Sequence, residues 1–172
     1  MEAKVNPKMI YRYLGNTGLK VSLLSYGTML SEYTEETEAR WQECAKYAFE
    51  NGINYFDSSD MYGAGKGDKM LGRTIKENGW EREDLVISVK TFFGFSPNRG
   101  GLSRKKIIES VKASLKDMGL DYCDIVFAHR WETETPLEET CKAFNWLINK
   151  GYAFYWSTSA WPEEMIVEAI KL

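Results

Sequence analysis

The chain has one histidine among its 172 residues, and its three cysteines, at positions 44, 123 and 141, form no CxxC pair. That leaves a structural zinc site short of ligands. An odd number of widely spaced cysteines also argues against a disulfide framework and for a reducing compartment. Net charge is small, −3 at pH 7, and a pI of about 5.4 leaves no electrostatic footprint for nucleic acid. No run of about 18 apolar residues occurs, so no membrane-spanning helix is expected. The start, MEAKVNPKM, lacks the apolar stretch of a targeting segment and reads as an untargeted, cytoplasmic N-terminus. The glycine run GAGKG at 63–67 matches neither GxGxxG nor GxxxxGK followed by Ser or Thr, so it does not by itself imply a nucleotide.

What the chain does have is apolar and aromatic side chains, 44% and 14% of the total. That suffices for a real core, and the length fits one domain over residues 1–172. The pattern alternates. YRYLGNTGLKVS, residues 11–22, predicts a hairpin turning at Asn16–Gly18. Leu23–Gly27 predicts a strand, and Trp41, Ala45 and Ala48 repeat at helical spacing over 35–51, with Thr34 and Thr37 as candidate N-caps. Strands then follow at 53–56, 85–89, 124–128 and 152–157. Helices are expected at 68–77, 103–118 and 136–150, the last with Thr135 as N-cap, and a final one from Pro162 to Leu172. Five strands, each followed by a helix, predict a parallel sheet covered by helices, either an open doubly wound sheet or a (β/α) barrel. An eight-stranded barrel needs roughly 200–250 residues, so five units make an incomplete one.

Polar residues fall where the strands should end. Asp57, Lys90 and His129 follow apolar runs, and Tyr62 lies among glycines just beyond Asp57. The carboxyl ends of parallel strands are where active sites collect. Alone, each residue has a plainer reading: Asp57 as a turn former, Tyr62 as a loop tyrosine, His129 as a hydrogen-bonded core histidine. Together they suit carbonyl reduction. Tyr62 would donate a proton, Lys90 would stabilise the phenolate left behind, Asp57 would hold Lys90 charged, and His129 would orient the carbonyl. No side chain donates hydride, so a nicotinamide is the natural source. Trp131, Trp146, Trp156 and Trp161 read as packing residues and Arg104–Lys106 as a solvated helix start. Glu132, Glu134, Glu138 and Glu139 suit a helix N-terminus, and Cys123 and Cys141 read as small buried hydrophobes.

The segments GT at 27–28, NYFDSSDMYG at 54–63, LVISVK at 85–90, IVFAHR at 125–130 and YWSTS at 155–159 resemble the aldo-keto reductases. YRYLGNTGLKVS, YGAGKG, RGGLSRKKIIES and YWSTSAW are most similar to the branch containing the β subunits of voltage-gated potassium channels. The resemblance runs from about Tyr11 to the last residue. It implies a (β/α) TIM-barrel fold, incomplete at about five of eight units and truncated after the fifth, with NADP(H) as cofactor. It implies Asp57, Tyr62, Lys90 and His129 as the catalytic tetrad. Thr28 falls near the nicotinamide, Ser159 on a residue bonding its carboxamide, and Asp57 and His129 also among the cofactor contacts. The channel subunits usually carry Trp at Met29, Arg at Ala160 and Asn at His129. His129 thus brings the chain nearer to the reductases proper, and Ala160 removes a polar contact. The implied partners are a small carbonyl substrate, a voltage-gated potassium channel, and a second copy or another chain that completes the barrel. Its three readings are a reductase, a regulatory channel partner, and an inactive fragment that keeps the tetrad. The phosphate-clamping loops lie beyond the strands found here, and the fifth strand would be an open edge.

Overall fold

In the computed structural model of the protein, residues 8–172 are described; the first seven residues of MEAKVNPKM, part of the stretch read as an untargeted start, lie outside them. The hairpin forms as expected. β1 (Tyr11–Tyr13) pairs antiparallel with β2 (Lys20–Ser22), Tyr11 opposite Ser22. Five parallel strands follow: β3 (Ser25–Gly27), β4 (Tyr55–Asp57), β5 (Val86–Thr91), β6 (Ile125–Ala128) and β7 (Tyr155–Thr158), adjacent in sequence order. Between and after them run α1 (Glu35–Glu50), α2 (Lys66–Asn78), α3 (Arg104–Met118), α4 (Leu137–Asn149) and α5 (Glu163–Lys171).

Strand order decides between the two expected architectures. A doubly wound sheet reverses direction at a switch point, whereas here every strand adds beside its predecessor. Successive helices also pack on one another, α1 on α2 through to α5, as one layer. That is the winding of a (β/α) barrel. Among the described residues the sheet stops at two edges, β3 and β7.

Period-two alternation sorts the strand residues. Phe56, Ile87, Val89, Val126 and Ala128 face the helices and join Met70, Leu71, Ile107, Val111, Phe144 and Leu147 in one buried cluster. Each large apolar side chain buried this way contributes about 1.5–3 kcal/mol. The opposite face holds Val86 and Ile125, on which Val21 of the hairpin packs with Leu14 and Leu19, closing the amino-terminal end. Asp57, Ser88 and Lys90 share the parity of Val86, with Asp57 opposite Ser88 in the ladder. The inner face is therefore apolar at one end and polar at the other.

Local expectations were met unevenly. Of the two candidate N-caps, Thr34 caps α1, and Thr37, inside the first turn, bonds back to it. Thr135 does not cap α4: Pro136 has an extended ψ of 130°, so the helix begins one residue later. Thr135 instead donates its N–H to Glu132, whose carboxylate also receives the N–H groups of Leu102 and Glu134. Glu132 thus anchors loops instead of a helix end. The last strand begins at Tyr155, because Tyr152 still closes α4 through an N–H bond to Leu147. Lys106, read as part of a solvated run, is buried. Trp161 is buried and the other three tryptophans pack against the same core, as do the buried Cys123 and Cys141.

Candidate functional site

Each of the four candidate residues reaches one mouth by a different route. Asp57 is the last residue of β4, Lys90 the next to last of β5, and His129 the first beyond β6. Tyr62 comes from the connection between β4 and α2, where the chain makes a short 3-10 turn, Tyr62–Gly65. Gly63 and Ala64 sit there at positive φ, 58° and 54°. The Tyr33 ring lies so close to Gly63 that a Cβ would stand 2.6 Å from it. Only glycine fits at 63. The glycine run noted in the sequence is thus a packing requirement that throws Tyr62 back over the strand ends.

Lys90 is the hub. Its ammonium donates to an Asp57 carboxylate oxygen and to Tyr62 Oη at 3.3 Å. Ser88 Oγ donates to the other Asp57 oxygen at 2.7 Å. The side chains of Lys90 and Asp57 are 12% and 24% exposed. A charge so nearly buried needs its partner, and charge left on the phenol oxygen after proton transfer would meet the same cation. His129 stands edge-on to Tyr62, ring centroids 6.1 Å apart, with Phe93 on another side. Burial, and then the cations of Lys90 and Arg130, push His129 down to about 4. At neutral pH it is therefore an uncharged imidazole, able to donate one hydrogen bond.

The two remaining cofactor candidates are placed differently. Ser159, just past β7, accepts a hydrogen bond from Arg130 Nη1 at 3.2 Å, and the same Nη1 donates to His129 O at 2.6 Å. No bond donated by the Ser159 hydroxyl is seen among the described residues. Thr28 is fully buried, and its hydroxyl donates to Ser58 Oγ at 2.8 Å, which donates in turn to Asp68. Its hydroxyl braces β3 to α2 and does not open on the mouth. Asp68 is pushed up to about 6 by burial, against hydrogen bonds from Ser58 and Ser114.

A second anchor went unread in the sequence. Asp60 receives Lys106 Nζ at 2.7 Å and Ser110 Oγ at 2.7 Å, and Lys106 also bonds Phe93 O at 3.0 Å. This ties the Tyr62-bearing connection to α3. The signal was present: Lys106, Ser110 and Ser114 recur every fourth residue beside the apolar stripe Ile107, Val111 and Leu115. A cavity of about 810 Å³ opens behind this connection between α2, α3 and the loop after β5, and none of the four candidate residues lines it. Its walls are the reverse side of the anchor, not the mouth.

A nicotinamide fits the residues present at one end. Ser159 offers a free donor beside His129, and the Asp57–Lys90–Tyr62 chain stands adjacent to it. These residues reach only the ring end of such a cofactor.

Residues 23–172 match the family described as Aldo/keto reductase family. Proteins named as probable voltage-gated potassium channel subunit beta from Arabidopsis thaliana and rice are 43% and 42% identical, each over 94% of this chain and 49% of their own length. A putative channel β subunit from Schizosaccharomyces pombe is 46% identical over 90% of this chain. The chain thus spans about half the length of the curated relatives it matches. Among solved structures, a thermostable aldo-keto reductase in complex with the inhibitor epalrestat superposes with a TM-score of 0.83 at 29% identity, over 95% of this chain and 58% of that one. An aldo-keto reductase from Bacillus halodurans in its holo form superposes with the same TM-score at 30% identity, over 95% of this chain and 54% of that one.

Proposed function

The chain belongs to the aldo/keto reductase family, and from that premise we propose that it reduces aldehydes or ketones with NADP(H), Tyr62 acting as general acid. One observation carries the reading: Lys90 bridges Asp57 and Tyr62 at the mouth beside a buried, neutral histidine. When bound, NADPH would supply the hydride. Tyr62 Oη gives its proton to the substrate oxygen. Lys90, held by Asp57, meets the charge left on the phenol. His129, uncharged, directs the carbonyl by a single hydrogen bond, and Ser159, its oxygen held by Arg130, would donate to the carboxamide. Thr28, its hydroxyl held by Ser58, would lie near the nicotinamide end. Calorimetric titration with NADPH, followed by reduction of a simple aromatic aldehyde, tests the reading. Binding with turnover is expected; a folded chain that does neither overturns it.

The relatives' names support a second reading, a regulatory protein docking on a voltage-gated potassium channel. Co-purification with the cytoplasmic part of such a channel tests it, and Tyr62→Phe leaves that association intact while removing turnover. We read residues 1–172 as the N-terminal part of one reductase domain, cytoplasmic, in which β7 is an open sheet edge among the described residues. Among the described residues no helix is long and apolar enough to cross a membrane, and the cysteines are free.

A further inference from the structure

Beyond the four residues, the mouth contains a hydroxyl with no assigned task. Ser59 is fully buried in the connection after β4, its Oγ 3.2 Å from His129 Nδ1. We propose that Ser59 is a positioning residue for His129, donating to Nδ1 and so fixing the ring's one proton on Nε2. This deepens the reductase reading, on which it rests for what the Nε2 proton does.

Counting donors and acceptors supports the direction. Ser59 Oγ accepts the Met61 N–H at 3.4 Å, which leaves one proton to give. Three acceptors are in reach: His129 Nδ1 at 3.2 Å, Asp60 Oδ1 at 3.3 Å and Lys90 O at 3.5 Å. Lys106 and Ser110 meet Asp60 at its other oxygen, Oδ2, so Oδ1 stays the rival acceptor on a carboxylate already paired with a cation, and Lys90 O already receives the Asp60 N–H at 3.2 Å. Nδ1 is the shortest contact and has no other described partner. With Nδ1 occupied as an acceptor, the neutral ring must carry its hydrogen on Nε2. The ring plane is then fixed by Ser59 behind it and by Tyr62 and Phe93 at its edges. The charged groups facing the ring are Lys90 on β5, Arg130 next in the chain, Asp60 on the connection and Asp57 on β4. None of them accepts a ring hydrogen bond in the structure.

Because His129 is the only histidine, nitrogen-15 NMR of the 172-residue chain reads the tautomer without assignment ambiguity. The wild type should show a protonated Nε2 and an unprotonated Nδ1 at neutral pH. A hydroxyl donating to Nδ1 stabilises the neutral ring, so Ser59→Ala should raise the histidine's pKa and let both tautomers appear. Ser59→Thr, which keeps the hydroxyl, should restore both. Carbonyl reduction by Ser59→Ala should lose about tenfold in kcat with KM little changed. A proton on Nδ1 in the wild type, or a ring already averaging between tautomers, overturns the proposal even if Ser59→Ala fails to fold. A fall in histidine pKa in Ser59→Ala overturns it too, since it means the ring donates to the serine. The expected tautomer in a chain that neither binds NADPH nor turns over would sink the reductase reading and leave this one standing.

Discussion

Lys106→Met removes a cation that is almost wholly enclosed. The ammonium and its partner Asp60 have side chains 9% and 12% exposed, 2.7 Å apart. Breaking such a pair from one side strands the other charge and costs about 3–5 kcal/mol. Asp60 keeps the Ser110 hydroxyl at 2.7 Å, which puts the expected loss near the lower bound, about 3 kcal/mol. Methionine fills similar volume, so little of that loss comes from packing. With a urea slope of about 2 kcal/mol/M, the midpoint should fall by about 1.5 M. Asp60→Asn with Lys106→Met should be less damaging than the sum of the single changes, giving a coupling of about 2 kcal/mol or more in a double-mutant cycle. Because Asp60 lies two residues before Tyr62, Lys106→Met should also lower turnover beyond what its stability change explains. A loss below about 1 kcal/mol with no coupling, the behaviour of an exposed pair, would refute the anchoring argument.

Two further outcomes follow from Asp68 in the first turn of α2 and Gly63 in the connection before it. Asp68 has a folded pKa of about 6 against an ordinary 3.8, so the folded state holds its proton longer and stability falls as pH rises between those values. The loss amounts to about 3 kcal/mol at most; Asp68→Asn should remove this slope in denaturation curves taken from pH 4 to 7, and an unchanged slope would contradict it. Gly63→Ala should cost about 1–2 kcal/mol in left-handed backbone strain alone. The added methyl also meets the Tyr33 ring, so thermal melting should fall further and Tyr62 should be displaced, with kcat reduced more than KM; a variant as stable and active as wild type would refute the packing account of the glycine run.

Much of the architecture was legible because apolar periodicity and helix punctuation coincide. Gly79 and Gly119 end α2 and α3 at positive φ, and Ser103 caps α3 through the Lys106 N–H. Asp57, Lys90 and His129 stood out as polar residues terminating buried runs, which is a local signal. What was illegible depended on three dimensions. Pro136 looked like a first-turn proline, yet its ψ, set by the Glu132-anchored loop, moved the helix start and left Thr135 outside. The spacing of Lys106, Ser110 and Ser114 hinted at a buried polar stripe, but Asp60, the partner of Lys106 and Ser110 and 46 positions from Lys106, was not legible. The resemblance put Thr28 near the nicotinamide, and nothing in the sequence indicated that its hydroxyl turns to Ser58. Ser59 had no periodic or motif signal, since its partner His129 is 70 positions distant.

The central claim is that Tyr62 is the acid of a reductase site assembled on these strand ends, and its most direct test is turnover by Tyr62→Phe. The substitution keeps the ring that packs beside His129 and removes only the proton and its contact with Lys90. NADPH oxidation with an aldehyde substrate should fall by about 10²–10⁴-fold in kcat, with NADPH affinity unchanged. Carbonyl reduction at the wild-type rate in Tyr62→Phe would contradict the account.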